Sequence, residues 1–366
     1  MKIAIISFHF AEYSFLLANA LASKNEVVLM LNKANASNEL GNRIEIEKHS
    51  NLTVFYLTDY GLKNPMIILN VFKILKIING FNPEVIHCQE AIKDYLMGAL
   101  WFMKNRPLVL TIHDHVPHTG KDSRDRKRIV FYKDILRKLP DAVIVHGEKI
   151  ISESQQLMPW LENKLFSVPH GVLGKITSGH DKNWQPGVVL FFGRIEEYKG
   201  LKYFIEAVNI VSTKYVSIKG IIAGTGQDLE NHKSDIINND NFELIDRYIK
   251  DVEVPTLFNR ANVVILPYTD ATQSGVVATA LSYGRPIVTT RVGSIDEVVK
   301  DGVNGLIVQP KDAQALADAM FKIISNTALA NEMADNARQL AETELSWSCI
   351  ADKTMLVYKH AIELKS

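Results

Sequence analysis

A glycine, an arginine and a lysine stand close together in LFFGRIEEYKGL, residues 190–201. The apolar run ends at Phe192, Gly193 permits a tight turn, and Arg194 and Lys199 project from the loop ahead of a helix. A guanidinium offers a planar fork and an ammonium a point charge, a pair suited to two phosphates. The alternative is that both cations sit on a solvated surface. A second stretch, VVILPYTDATQSGVVATALSYGRPIVTT at 263–290, reads as strand, polar loop, helix and strand. It aims a helix N-terminus near Ser274 and Gly275 at the edge of a sheet, where unbonded N–H groups attract anions. An ordinary crossover whose loop binds nothing would read the same way. TIHDHVPHTG at 111–120 packs three histidines and an aspartate into six residues. His113 and His115 share a side of an extended chain, so a metal site is conceivable, but no second cluster completes it. The other use of His113 is a hydrogen bond to a polar ligand. IIAGTGQDLE at 221–230 carries Gly224 and Gly226, which match only the first two glycines of a dinucleotide fingerprint, with Leu229 in the third place. There is no GxxxxGK[ST] loop and no D-x-D pair for a magnesium clamp. Phosphate would have to be held by fixed cations and backbone amides.

The elements that must position these residues alternate. Strands are expected at 2–7, 26–31, 52–57, 84–88, 108–113 and 142–147, with helices at 12–24, 67–78, 91–103 and 124–138 between them. After a Gly- and Pro-containing break, strands follow at 188–192, 218–223, 242–245, 263–266, 286–290 and 305–308. Helices are expected at 200–213, 253–260, 275–283, 312–325, 328–342 and 346–363. Such alternation predicts α/β domains with parallel sheets covered on both faces, and ligands at the carboxyl ends of the strands. His9, His87 and His113 fall at such ends. The expected domains are 1–172 and 188–345, joined by a linker at 173–187. The closing helix at 346–366 either completes the second domain or crosses back to the first.

Composition narrows the classes. The 366 residues are 47% hydrophobic and 22% charged, with 41 basic and 41 acidic side chains, so no global charge favours nucleic acid. Residues 121–138 hold eight basic and three acidic residues. That run is either a solvated helix face or a peripheral contact with an anionic membrane. Cys88 and Cys349 form no disulfide framework, and no signal peptide or membrane span is legible. A cytoplasmic protein is expected, either free or peripheral at the inner face of the membrane.

Together these stretches resemble the glycosyltransferases of family 4, which have the GT-B fold. VPHGV at 168–172 is similar to the family's interdomain PNGV, and FGRIEEYKGL to its phosphate-binding GR…KG. IAGTGQDLE is similar to its GxGP turn and RANVVILPY to its ADVFVLPS. SYGRPIVTTRVGSIDEVVKDGVNGLIV resembles the family's tail motif almost position for position, and TIHD its T-x-H-D. The resemblance implies two Rossmann-like domains facing a central cleft, the second binding a nucleotide-diphosphate sugar. Arg194 and Lys199 would neutralise the diphosphate and His113 would contact the donor sugar. Gly193, Gly224, Asp270, Gln273, Ser274, Gly275 and Thr279 would complete the donor site. His9 and Glu12 would meet a saccharide or lipid-linked acceptor. The family retains anomeric configuration and needs no metal and no cofactor beyond the nucleotide sugar.

Two departures stand out. The family's E-x7-E glutamates align with Ala271 and Thr279, with Asp270 one place from the first. The Gly-Gly loop after the first strand is replaced by SFHFAEYS. A catalytically silent partner subunit that binds nucleotide sugar or polysaccharide, and a GT-B sugar epimerase, are the alternatives to a transferase.

Overall fold

A computed structural model describes residues 1–58, 66–90, 102–113, 136–174 and 184–365. The described residues up to Gly171, together with those from Trp347 onward, form one compact unit; Val172–Ser346 form a second. The closing helix, Trp347–Glu363, therefore belongs to the first unit, and Ile350, Ala351, Val357, Tyr358 and Ala361 sit in its core.

The first unit is built on seven parallel strands: β1 (Lys2–Ser7), β2 (Glu26–Asn32), β3 (Leu52–Leu57), β4 (Val85–Gln89), β5 (Leu108–Thr111), β6 (Ala142–Val145) and β7 (Leu165–Ser167). Their order across the sheet is β3-β2-β1-β4-β5-β6-β7. The strands read as unbroken apolar runs because both faces are covered. Ile3 and Ile5 face a core shared with helix Ala11–Ala22 and the closing helix, whereas Ala4 and Ile6 face one shared with helix Ile67–Phe81. The sheet order reverses between β1 and β4, so the loops leaving those strands open onto a topological switch point.

The second unit carries β8 (Val188–Phe192), β9 (Lys219–Ala223), β10 (Phe242–Ile245), β11 (Val263–Leu266), β12 (Ile287–Thr290) and β13 (Gly305–Val308) in the order β10-β9-β8-β11-β12-β13, all parallel. Its switch point lies between β8 and β11, where the Gly193–Lys199 loop and the Pro267–Ser274 loop emerge.

The α/β alternation read from the sequence is present in both units, with most boundaries within two residues. Helices Lys33–Glu39, Arg43–Glu47 and Glu148–Leu157 and strand β7 were not expected. The first of these is nucleated by a cap, the Asn32 side chain accepting from the Asn35 amide at 3.0 Å. The helices expected at 91–103 and 124–138 lie mostly outside the described residues, as does the linker core 175–183.

Glycines decide how closely the loops of the second unit pack. Gly224 has φ +143°, and a Cβ there would sit 1.9 Å from the Gly193 carbonyl oxygen. At Gly226 it would sit 2.1 Å from the Ile195 oxygen. Gly193 N–H donates to Ala223 O at 3.0 Å, and Ile195 N–H to Thr225 O at 3.0 Å. The GTG run is thus a device for laying the β9 loop against the β8 loop. Gly224→Ala is expected to destabilise the protein by about 3 kcal/mol, because backbone rather than a flexible side chain must yield. Denaturant titration with β-sheet circular dichroism checks this, and an unchanged midpoint would contradict the close packing.

Candidate functional site

In the second unit, Gly193 takes φ +109° as the chain leaves β8. Arg194 follows, exposed and without an ion pair among the described residues. A short 3-10 turn, Glu197–Lys199, carries the half-buried Lys199, and Gly200 at φ +73° starts helix Leu201–Ser212. This turn is fixed to the end of β11: Thr269 N–H donates to Tyr198 O at 2.8 Å, and a Cβ on Gly200 would lie 2.0 Å from Pro267 O. The Lys199 ammonium stands over the Tyr268 ring, 3.9 Å from its centroid. The Tyr268 hydroxyl is 3.0 Å from Ser274 Oγ.

Ser274 is the N-cap of helix Gly275–Ser282, with extended backbone, but its side chain does not cap the helix. The amides of Gly275 and Val276 donate to no acceptor among the described residues, while those of Val277 and Ala278 reach Ser274 O. Val276 also lies beside Gly193, 3.5 Å from a Cβ built there. Gln273 Oε1 is buried with no hydrogen-bond partner. From the β12 side, Ser294 N–H and Oγ–H both donate to Thr272 O, at 3.0 and 2.9 Å. The structure thus joins Gly193, Lys199, Ser274 and Gly275 by direct or one-step contacts at one switch point, with Gly224 behind Gly193. Asp270 is exposed on the same loop. Thr279 lies one turn inside the helix, its hydroxyl donating to Gly275 O at 3.0 Å.

The first unit presents a different constellation. His113, just past β5, is almost fully buried. Its Nε2 is 2.8 Å from Gln89 Oε1 and its Nδ1 is 3.2 Å from His146 Nε2. His146 Nδ1 in turn donates to Val168 O at 2.9 Å. That last bond fixes the tautomers in order. His146 carries its proton on Nδ1, so its Nε2 accepts from His113 Nδ1–H, and His113 Nε2 must also accept. Gln89 then has to present its amide N–H to that nitrogen. Burial and the neighbouring histidines hold the His113 pKa well below its ordinary value, in keeping with a neutral ring. The ring of Phe10 stacks on His113 at 3.8 Å. Phe10 itself has φ +62°, a left-handed conformation, where the family's glycine-rich loop would need no strain. His9 is exposed beside it, and Glu12 is bound by Arg43 at 2.6 Å. His87 bonds the closing helix through Tyr358 at 2.7 Å and β5 through Thr111 Oγ1 at 2.7 Å. Sequence reasoning missed Tyr268, Phe10, Gln89 and His146. His146 ends β6 as His87 nears the end of β4, which was the available signal. His115 lies outside the described residues, and among those described no cluster of three metal-ligating side chains occurs.

Two family models match, Glycosyltransferase Family 4 over residues 11–172 and Glycosyl transferases group 1 over residues 186–326. The chain belongs to the family 4 glycosyltransferases. An uncharacterized glycosyltransferase of Methanocaldococcus jannaschii is 23% identical over 310 residues, 77% of this chain and 76% of its own. The capsular polysaccharide biosynthesis glycosyltransferase CapM of Staphylococcus aureus is 30% identical over 178 residues, 47% of this chain and 45% of its own. Among solved structures, Anabaena HepE in complex with UDP superposes with a TM-score of 0.71 at 18% identity, covering 98% of this chain and 100% of that one. The fold of this glycosyltransferase is accordingly GT-B, as its motifs implied. No helix among the described residues is long and apolar enough to cross a membrane.

The histidine network sets a pH dependence. Burial lowers the His87 pKa to about 3, whereas an unfolded histidine titrates near 6.5. Between those values the unfolded chain binds the extra proton. Stability is therefore full above about pH 6.5 and falls as the pH drops, by about 1.4 kcal/mol per unit for each such histidine. The first unit is expected to melt at a lower temperature at pH 5 than at pH 7.5. His87→Gln should flatten that difference, and calorimetric scans across the range check it.

Proposed function

We propose that this glycosyltransferase moves a sugar from a nucleoside-diphosphate donor to a saccharide or lipid-linked acceptor, with retention and without a metal ion. Its setting would be the synthesis of cell-surface polysaccharide or glycoconjugates. The observation that carries the reading is the gathering of an exposed arginine, a lysine and two open helix amides at the switch point of the second unit. Arg194 is exposed with no ion pair among the described residues, the Lys199 ammonium stands over the Tyr268 ring, and the Gly275 and Val276 amides meet no acceptor among the described residues. A departing diphosphate gains negative charge as the glycosidic bond breaks, and donors already in place stabilise it without reorganising. Arg194 and Lys199 supply the charge that a divalent ion supplies elsewhere. UDP in the HepE complex and the capsular role in the name of CapM support the donor and product classes.

Within this reading Asp270 rather than Thr279 serves the donor's ribose, since the Thr279 hydroxyl already donates within its own helix. His113, with both ring nitrogens engaged, acts as a rigid wall. The acceptor is held by the first unit, where His9 is exposed. Contact with an anionic membrane through residues 121–138 belongs to the lipid-linked form of the proposal. Charge reversal there should lower partition into phosphatidylglycerol vesicles, and unchanged partition would remove it.

The absent glutamates favour one second reading, a silent subunit that binds nucleotide sugar without transferring it. Incubation with UDP-, GDP- and ADP-sugars, with and without EDTA, separates the two. Release of nucleotide and transfer of sugar that persist in EDTA support the transferase, and binding without turnover supports the subunit. Arg194→Ala is expected to lower turnover about a hundredfold, as loss of one transition-state donor does. Near-wild-type turnover would remove Arg194 from the site.

A further inference from the structure

The motif ADVFVLPS has serine where this chain has Tyr268, and that substitution sits between the two features on which anion binding depends. Tyr268 is 1% exposed. Its backbone is held from two sides, Thr290 Oγ–H donating to Tyr268 O at 2.5 Å and the next residue's N–H to Tyr198 O at 2.8 Å. The ring has one place to go. Its face lies under the Lys199 ammonium at 3.9 Å, and its hydroxyl meets Ser274 Oγ at 3.0 Å. A serine at an N-cap ordinarily accepts from the second or third amide of its helix. Here the side chain makes no such bond, and the amides of Gly275 and Val276 stay bare. Burial raises the Tyr268 pKa, so the hydroxyl keeps its proton and remains a partner for Ser274.

We propose that Tyr268 is a positioning residue for the diphosphate: its ring seats Lys199, and its hydroxyl draws Ser274 away from capping, so that the Val276 amide remains open to phosphate beside that of Gly275. This rests on the reading of the second unit as a diphosphate site. The two halves of the side chain have separable consequences. Tyr268→Phe keeps the face and frees Ser274, which then turns to its own helix and competes with the ligand for the Val276 amide. Tyr268→Leu removes the seat of Lys199 as well.

Isothermal titration of UDP, GDP and ADP, alongside uridine, guanosine and adenosine, tests the proposal on folded protein. Thermal melts establish that each variant is folded. For whichever diphosphate the wild type binds, Tyr268→Phe is expected to weaken binding about fivefold to tenfold, the worth of one hydrogen bond. Tyr268→Leu should weaken it about tenfold more. The matching nucleoside should bind all three proteins alike, because it lacks the phosphates. In a Ser274→Ala background no cap can form, so adding Tyr268→Phe should cause no further loss. Equal weakening of nucleoside and diphosphate would mean that Tyr268 is only core packing and would overturn the proposal. So would a full loss in the Ser274→Ala background, or unchanged diphosphate affinity in Tyr268→Phe. If the wild type binds none of the three diphosphates, the donor-site reading falls and the proposal with it. Should Tyr268→Leu fail to fold, Tyr268→Phe and its cycle with Ser274→Ala still decide the question.

Discussion

Four carbonyl oxygens lie where a methyl group would have to go. A Cβ at residues 200, 224, 226 or 293 would sit 1.9 to 2.1 Å from the oxygens of Pro267, Gly193, Ile195 and Ala271. The loops leaving β8, β9, β11 and β12 therefore touch through backbone, and no choice of rotamer can loosen them. This sets the placement of every candidate group in the second unit. Arg194 follows from Gly193, Lys199 precedes Gly200, and Ser274 closes a loop clamped by Gly293 and Ser294. A cation held by backbone packing loses little further freedom when a ligand arrives, which is the condition under which fixed charges stabilise a leaving group.

The two switch points carry the same topology and differently satisfied helix starts. In the first unit, the helix after β1 has its leading amides satisfied from within: Ala11 N–H donates to Asn35 Oδ1 at 3.1 Å and Glu12 N–H to Glu39 Oε2 at 3.0 Å. Burial raises the Glu39 pKa, but those amides still oppose the shift by favouring its charged form. The end of that helix is therefore closed to an incoming anion. In the second unit, the equivalent helix after β11 leaves its first two amides with no acceptor among the described residues. Fold alone would not distinguish the units; the side chains at the two helix starts do.

Much of this was legible in the residues. Parallel strands buried on both faces are continuous apolar runs, so VVLFF, VVIL and LVLT declare themselves, and glycines beside cations mark the loops that the structure brings together at one switch point. What was hidden was of two kinds. Helices such as Lys33–Glu39 are too short and polar to show a 3.6-residue stripe, and depend on a cap at Asn32. Contacts across the sheet are the other kind. The bond of His87 to Tyr358 spans 271 residues and that of Gln89 to His113 joins neighbouring strands. Neither spacing is periodic, so no local pattern could announce it. The tie from Tyr358 to His87 is also one of the contacts that anchor the closing helix on the first unit, a connection that composition left open.

The missing glutamates acquire a physical meaning in this setting. Ala271 is buried behind the loop, and Thr279 keeps its hydroxyl within the helix. A carboxylate at either position would bring negative charge near Lys199 and the bare amides, and would offset part of the attraction for phosphate. The chain instead places the face of Tyr268 beneath the ammonium. An aromatic quadrupole attracts a cation while leaving its net charge intact. The carboxylate of Asp270, on the same loop, is exposed. Under the proposed donor-site reading, the loss of the acidic pair and the gain of a tyrosine at the end of β11 are one change, from a site that grips sugar hydroxyls with carboxylates to one that relies more heavily on its hold of the phosphates.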